Sequence, residues 1–264
     1  MGAAADDVTG LASGLAASFT RDGGQYCTKP GLVFVPAGTG FEAALARAAS
    51  ESPRQQLLTA GMTEAFARGS EALGGRDDVE VLVAGVRTGA AATTDVAIES
   101  TPTVVATNAA AFLADPETFL EEHFGPLTVV VGYSDANPGG DLDHALAALQ
   151  GSLTGTVRHG ASDDPELLDR LTAALSAVAG RVLYDGWPTG VAIAWAQHHG
   201  GAWPASTPSV HTSVGATAIR RWLAPVAYQD APQSVLPLEL RDGNPLGIPR
   251  REDGQLMWEP DAVS

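Results

Sequence analysis

The hydrophobic positions of the chain follow two patterns, which predict helices and strands in alternation. Apolar residues recur every three or four positions, as on one buried face of a helix, in segments 8–19, 41–50, 52–74, 115–125, 142–150 and 164–180. Short continuous apolar runs rich in β-branched residues, typical of buried strands, cover 31–36, 79–86, 101–107, 126–133, 153–159 and 181–186. This alternation predicts an α/β fold with a mainly parallel sheet and crossover helices on both faces.

Cap and turn residues indicate where some of these segments end. Ser52 followed by Pro53 predicts the start of a helix, because serine caps helices and proline is tolerated in the first turn. Residues 187–215 are rich in Gly, Pro, Ser and Thr and show no period, which predicts ordered loops of the kind that often carry function. Residues 241–264 are Pro-rich and charged. We therefore predict one domain over 1–240 and a C-terminal tail over 241–264.

Charge and composition limit the classes of partner. The 264 residues are 45% hydrophobic and carry a formal net charge of −16, which is typical of a compact acidic chain. Nucleic acids and anionic membranes require a basic surface, so we expect neither as a partner. The one cysteine cannot form an internal disulfide, and neither a secretory signal nor an apolar run of membrane length is visible. A cytoplasmic location is therefore expected.

Two motifs have simpler interpretations than the chemistry they suggest. Residues 38–43, GTGFEA, fit a Gly-x-Gly-x-x-Ala dinucleotide fingerprint after a strand. The fingerprint requires an acidic residue after a second strand, but the following segment has helical spacing. A tight strand-to-helix turn is the simpler interpretation. His198 and His199 are adjacent in a Gly-flanked loop without metal-ligand spacing, so we expect surface or loop histidines and no metal site.

The only cysteine, Cys27, lies in the stretch DGGQYCTKPGLVFVP, residues 22–36. A single cysteine is usually a small buried hydrophobe, and a core strand around it would favour that interpretation. Here it lies between a helix that ends in two glycines and a turn containing Lys29 and Pro30. In such a loop the thiol can stay accessible, and backbone N–H groups can face a developing oxyanion. The position therefore favours a nucleophile.

Four stretches carry a resemblance to a known family. Residues 23–31, GGQYCTKPG, resemble the nucleophile loop of the aldehyde dehydrogenase superfamily, and 121–130, EEHFGPLTVV, resemble its Glu-Glu-x-Phe-Gly-Pro stretch at about the family's spacing. RVLYDGWPTGV at 181–191 and HTSVGATAIRRWLAPVAYQ at 211–229 look most like the branch acting on 2,5-dioxopentanoate (α-ketoglutaric semialdehyde) and the related NADP-dependent fatty-aldehyde dehydrogenases. The resemblance runs through nearly the whole chain.

The resemblance implies a role for three residues. Cys27 would attack the aldehyde carbon to give a thiohemiacetal and then a thioester, which water hydrolyses to a carboxylic acid. The Cys27 N–H would help to hold the oxyanion. Glu122 and Phe124 match the family positions that contact the ribose and ring on the nicotinamide side of NAD or NADP. A carboxylate suits a ribose because it accepts hydrogen bonds from two hydroxyls.

The resemblance also implies that parts of the family's machinery lie outside this chain. In the family, a dinucleotide-binding domain, an oxyanion-hole Asn and a general-base Glu precede the cysteine, which is only 26 residues from the start here. We therefore expect a catalytic domain truncated at its N-terminal edge, lacking the N-terminal dinucleotide-binding domain and inactive alone. It is expected to form a homo-oligomer or to pair with a cofactor-domain half. The alternatives are a non-enzymatic remnant or interaction module that pairs with a full-length relative, and a weak cysteine-dependent esterase.

The substrate class rests on weaker signals. Trp187, Trp195, Trp203 and Trp222 are candidates to line a tunnel for a small-molecule aldehyde. Arg220 or Arg221 could meet a substrate carboxylate through paired hydrogen bonds. Core packing and a solvated helix face are equally good interpretations of these residues.

Overall fold

A computed structural model describes residues 6–85, 87–88, 99–202, 204 and 206–257. The α-helices are α1 Val8–Phe19, α2 Phe41–Ser50, α3 Ala60–Gly74, α4 Ala109–Ala114, α5 Pro116–Leu120, α6 Asp141–Ala147 and α7 Pro165–Val178. The strands are β1 Leu32–Pro36, β2 Gln55–Gln56, β3 Glu80–Val83, β4 Arg87–Thr88, β5 Glu99–Ser100, β6 Thr103–Asn108, β7 Leu127–Tyr133, β8 Ser152–Val157, β9 Ala179–Tyr184, β10 Arg250–Glu252 and β11 Gln255–Met257. Short 3-10 turns cover Arg21–Gly24, Ala218–Trp222, Gln233–Val235 and Leu238–Leu240.

The main sheet is mixed and mostly parallel, with the strand order β1-β7-β6-β3. β1, β7 and β6 run parallel, and β3 pairs antiparallel with β6. β8 and β9 form a separate parallel pair. Because parallel neighbours are joined through helices, this arrangement confirms the predicted α/β class.

Residues that alternate along the central strands fill two apolar layers, one on each face of the sheet. Val104 and Val130 pack on one side with α1 and α2, through residues such as Phe19 and Leu45. Val105, Val129 and Val131 pack on the other side with α3, α4, α5 and α6. The helices therefore cover both faces, as the continuous apolar runs of β6 and β7 require.

Two predicted helix bounds were wrong. The helix expected from Ser52 and Pro53 begins only at Ala60, because the Thr59 side chain accepts the Met62 N–H and caps it there. Residues 55–56 pair instead with β5. The helix expected over 115–125 ends at Leu120. Its last residues are thereby released into a loop, which reaches the cysteine.

The chain divides into two compact units between Arg221 and Trp222. The second contains two 3-10 turns and the β10–β11 hairpin. The predicted boundary at residue 240 stays a prediction, because compactness alone does not identify a functional domain. Residues 258–264 of the predicted tail lie outside the described part. Among the described helices, none has the length and apolar composition needed to cross a membrane.

Candidate active site

Left-handed backbone turns the chain sharply from α1 to Cys27. Asp22, Gly23 and Gly24 have φ values of 48°, 71° and 67°, a conformation that glycine adopts without steric cost. The Gln25 amide anchors the turn, since its oxygen accepts the Leu58 N–H at 2.7 Å and its nitrogen donates to the Asp22 carbonyl at 2.8 Å. Cys27 follows and is exposed. The prediction of an accessible thiol in a turn is therefore confirmed.

The loop after α5 lies directly against the cysteine turn. A Cβ on Gly24 would lie 2.3 Å from the Gly125 carbonyl oxygen, so the two backbones are in contact. Lys29 Nζ donates to the His123 and Leu127 carbonyl oxygens at 2.8 and 2.9 Å. The two family-like stretches, nearly 100 residues apart, are thereby joined at one place.

Glu122 and Phe124 are both accessible beside this junction. Glu122 is exposed and lines a cleft of about 400 Å³ together with Cys27 and Lys29. Phe124 is 36% exposed. Their cofactor roles stay predictions, but both side chains are free to contact a bound molecule.

The ammonium group of Lys29, the only lysine in the sequence, is largely enclosed. Burial lowers its pKa from 10.5 to about 8, against the opposing charge of Glu122. Two carbonyl oxygens compensate part of the lost hydration. Lys29 therefore connects the two loops by hydrogen bonds, while burial destabilises its charged form relative to its neutral form.

We expect Lys29 to make the free energy of unfolding rise between pH 8 and about 9.5. In this window the folded protein has lost the lysine proton while the unfolded chain keeps it, so higher pH favours the folded state by up to about 1.4 kcal/mol per unit. Urea unfolding of wild type and Lys29→Met at several pH values measures this contribution. The wild-type value should gain about 1–2 kcal/mol on the variant across the window. Parallel curves for the two proteins would contradict it.

His199 lies next to the cysteine, with its Nε2 3.4 Å from Cys27 Sγ. Its backbone is clamped, because its N–H donates to Thr212 Oγ1 at 2.8 Å and its carbonyl accepts the Ser213 N–H and hydroxyl at 2.9 and 2.8 Å. The side chain is buried, with 7% exposure. Of the two predicted alternatives, the loop position of His199 is confirmed, and a surface position is wrong because the side chain is buried.

Burial is the main cause that lowers the pKa of His199, and the charges of Arg181 and His198 add to it. A histidine with a lowered pKa stays neutral near neutral pH and can accept a proton. Its Nδ1 is buried and has no hydrogen-bond partner among the described residues. The pair of Cys27 and His199 thus has the geometry of a nucleophile with an adjacent base.

Sequence reasoning missed His199 because it lies 172 residues from Cys27. The one local signal was the glycine pair that follows it. A Cβ on Gly180, in β9, would lie 1.6 Å from the Gly200 carbonyl oxygen, so β9 and this loop pack backbone to backbone. Because both residues are glycines, the loop that carries His199 can pack directly against β9.

Arg181, also on β9, adds positive charge to the site. Its guanidinium donates to the Pro188 carbonyl at 2.8 Å and to the Gly190 carbonyl at 3.1 Å. Burial lowers its pKa, and the interaction with Cys27 opposes this shift.

The tryptophans proposed for a tunnel lie in different surroundings. Trp187 and Cys27 line a mainly apolar cavity of about 340 Å³. Trp195 and Trp222 are 76% and 79% exposed, and Trp203 lies outside the described residues. Arg220 and Arg221, the candidates for a substrate carboxylate, are exposed. In the described part of the chain, His, Cys, Asp and Glu form no cluster of three suited to a metal ion.

Comparison with known proteins gives consistent relatives. The chain is 40% identical over 248 residues to alpha-ketoglutaric semialdehyde dehydrogenase 2 of Azospirillum brasilense, covering 93% of this chain and 45% of the relative. It is 34% identical over 249 residues to alpha-ketoglutaric semialdehyde dehydrogenase of Acinetobacter baylyi, with the same coverages. The chain thus spans about half the length of these curated relatives. No family model matches.

Solved structures show the same fold. The delta-pyrroline-5-carboxylate dehydrogenase from Mycobacterium tuberculosis aligns with a TM-score of 0.63 at 22% identity, over 87% of this chain and 43% of that one. An aldehyde dehydrogenase from Bacillus cereus, in its NAD+ complex, aligns with a TM-score of 0.59 at 19% identity, over 79% and 40% of the two chains. At these identities the likeness establishes the fold alone.

Proposed function

Because this chain belongs to the aldehyde dehydrogenase superfamily, we propose that it is the catalytic part of an NAD(P)-dependent enzyme that oxidises an aldehyde to a carboxylic acid. The observation that carries the proposal is the exposed Cys27 thiol, 3.4 Å from a buried histidine and beside the Glu122 loop. The names of the curated relatives favour 2,5-dioxopentanoate, which is α-ketoglutaric semialdehyde, as the substrate.

In this proposal the chain's own residues form and break the bonds to sulfur. Cys27 gives its proton to His199 Nε2, and the sulfur bonds to the aldehyde carbon to form a thiohemiacetal. The Cys27 N–H helps to hold the oxyanion. After oxidation, water attacks the resulting thioester, the carbon–sulfur bond breaks, and the acid leaves while the sulfur regains a proton.

Two of the residues present fit the nicotinamide end of a dinucleotide cofactor. Glu122 is exposed in the cleft that it shares with Cys27, where its carboxylate can accept hydrogen bonds from ribose hydroxyls. Phe124 offers an apolar face two residues further on. NAD or NADP, when bound there, supplies the hydride acceptor that turns the adduct into a thioester. The cytoplasmic location and the homo-oligomer, or the pairing with a cofactor-domain half, stay predictions.

A chimera tests this function. The matched segment of the Azospirillum brasilense relative is replaced with the 248 matched residues of this chain, and reduced cofactor is measured with 2,5-dioxopentanoate. We expect aldehyde-dependent formation of NADH or NADPH and of the corresponding acid. A folded chimera that binds the cofactor but reduces none of it would refute the proposal.

The contact between Cys27 and His199 favours a second candidate, a thiol esterase that needs no cofactor. The chain alone is incubated with p-nitrophenyl acetate, and released nitrophenol is compared with the amount of protein. Continuous turnover would support the esterase. A burst of about one equivalent, with acetyl retained on the protein, would exclude efficient hydrolysis and leave Cys27 as a nucleophile that cannot complete the cycle alone.

A further inference from the structure

Strands β1 and β8 each have one free edge among the described residues. β1 pairs with β7 alone, and β8 pairs with β9 alone. A free edge leaves the N–H and C=O groups of alternate residues without a ladder partner, so a further strand can pair with it. A parallel pair such as β8 and β9 is ordinarily part of a wider sheet that is covered on both faces.

The two free edges face the same cavity. The cavity that Trp187 and Cys27 line is also lined by every residue over 31–35, in and next to β1, and over 152–158, in and next to β8. Successive side chains of a strand point to opposite faces of its sheet, so a cavity over one face would contact every second residue. Contact with every residue in turn indicates that the cavity lies along the edges of both strands.

Both strands start at the same end of this cavity, beside the cysteine. The second cleft at Cys27 is lined by residues 31–32 at the start of β1 and by residues 152–153 at the start of β8. Val35 and Val157, near the ends of these strands, line the larger apolar cavity and not this cleft. One strand between them can therefore run parallel to both, with its first residue beside Cys27.

Neither edge has the protection that exposed strand edges usually carry. Charged side chains, an interior proline or a bulge block unwanted pairing at such edges. β1 reads LVFVP and β8 reads SLTGTV, so neither strand contains a charge, and the one proline is the last residue of β1. Leu32, Val33 and Phe34 are only partly buried, whereas β7 buries all but one of its residues. These edges therefore suit a strand partner better than water.

We propose that the space between β1 and β8 is a strand slot, which binds one extended apolar segment of five or six residues, the lengths of β1 and β8. The bound segment pairs in parallel with both strands and joins them into one sheet. Extended backbone is the occupant because it supplies N–H and C=O groups to both edges at strand spacing. This inference rests on the proposed function and specifies where a companion half binds.

The segment belongs to a companion polypeptide with the part of the curated relatives that this chain does not span. More than half of each relative's length lies outside the match, which covers 45% of it. A second copy of this chain is a poorer source. The long apolar strands among its described residues are already paired in their own sheets, so a copy would have to break a sheet to supply one.

Peptides from a curated relative test the strand slot. Short overlapping peptides cover the part of the Azospirillum brasilense relative outside the 248 matched residues, and each is added to the unmodified chain before iodoacetamide. Because the chain has one cysteine, intact mass gives the alkylation rate at Cys27. One stretch should slow alkylation by about tenfold or more, because the bound strand begins beside the thiol. Protection by no peptide, or equal protection by unrelated stretches, would overturn the proposal.

Backbone methylation separates strand pairing from the filling of an apolar cavity. The protecting peptide is remade with N-methyl groups at two neighbouring interior residues, which keeps its side chains and removes two N–H donors. Neighbouring residues of a strand donate to opposite sides, so one donor to each edge is lost. Protection of Cys27 should disappear. Equal protection by the methylated peptide would identify a cavity ligand and reject the strand slot.

A reactive group at either end of the peptide tests its direction. A bromoacetyl group at the N terminus lies beside Cys27, where the sulfur displaces bromide, forms a carbon–sulfur bond and loses its proton to solvent. The same group at the C terminus lies about 15 Å further along a strand of five residues. Labelling from the N terminus should be faster by about tenfold or more. Faster labelling from the C terminus would reject parallel docking.

Thr154→Lys tests the slot from the side of the chain, with Val81→Lys as its matched control. Thr154 is in β8 and lines the cavity, whereas Val81 is on β3, at the opposite edge of the main sheet, and is 42% exposed. A charge at a strand edge opposes pairing, so Thr154→Lys should abolish protection by the peptide and Val81→Lys should retain it. Equal behaviour of the two variants would contradict the slot.

The remaining outcomes are separable. If Thr154→Lys fails to fold, the methylated peptide decides the question on the unmodified chain. Shielding of Cys27 that grows with the concentration of the chain alone would assign the slot to a second copy and overturn the companion. The proposed function has its own readout, since a chimera that forms no reduced cofactor would refute it whatever the peptides do.

Discussion

Replacing Cys27 with serine should lower aldehyde-dependent formation of NAD(P)H in the chimera by at least about 10³-fold. The hydroxyl has nearly the size of the thiol, but it does not ionise near neutral pH and is a far weaker nucleophile. Cys27 is exposed, so the change removes no core contact and the fold should persist. The measurement is the absorbance of the reduced cofactor, with intact mass of the protein after incubation with aldehyde.

The result requires that cofactor binding survives the substitution. A fluorescence titration of the Cys27→Ser chimera with NADH or NADPH provides that control. An unchanged dissociation constant with lost turnover would locate the effect at the bond-forming sulfur. Near wild-type turnover of the serine variant would contradict the role of Cys27 and with it the proposed chemistry.

Replacing His199 with glutamine should slow acylation of Cys27 by p-nitrophenyl acetate by about 10²-fold at pH 7. Glutamine keeps a polar side chain near the sulfur, 3.4 Å from Nε2 in the wild type, but it cannot accept the thiol proton. Because the pKa of His199 is lowered by burial, the wild-type rate should persist to pH values below the usual histidine range and then fall as the ring becomes protonated. The glutamine variant should lack this fall.

His198→Gln is the matched control for this experiment. His198 is also a histidine and directly precedes His199 in the sequence, and its charge contributes to the lowered pKa of His199. We expect the inflection in the acylation rate to remain and to move to slightly higher pH, since one source of repulsion is removed. If both glutamine variants lose the inflection, or neither does, His199 is not the base.

Much of the fold follows from the spacing of apolar residues. The continuous runs that became β6 and β7 are buried on both faces, and this is why they show no alternation. One of the two errors lies where one helix cap competes with another. Ser52 and Pro53 form a good helix start, yet Thr59 provides the cap that is used, because residues 55–56 pair with β5. A distant strand decides that choice, and no local pattern contains it.

The residues of the site likewise fall into those that the sequence identifies and those that only the tertiary structure brings together. Cys27, Glu122 and Phe124 belong to short motifs that resemble a family, so they could be found from the sequence. His199 lies in none of these stretches, and its place beside Cys27 arises from the way in which β9 and the following loop pack. The glycines at 180 and 200 permit that packing, but a glycine in the sequence does not indicate which segment will pack against it.

Among the hydrogen bonds of the described residues, those around Cys27 join positions that lie far apart in the sequence. They join residues separated by 172 positions at His199 and by 94 positions between Lys29 and His123. Closing such long loops lowers the chain entropy before the contacts compensate for the loss. Local helices and hairpins can therefore form before these long-range contacts. The reactivity of this one thiol consequently reports completion of the tertiary structure: a partly folded chain can contain α1, β1 and the cysteine turn while Cys27 still reacts as an ordinary thiol.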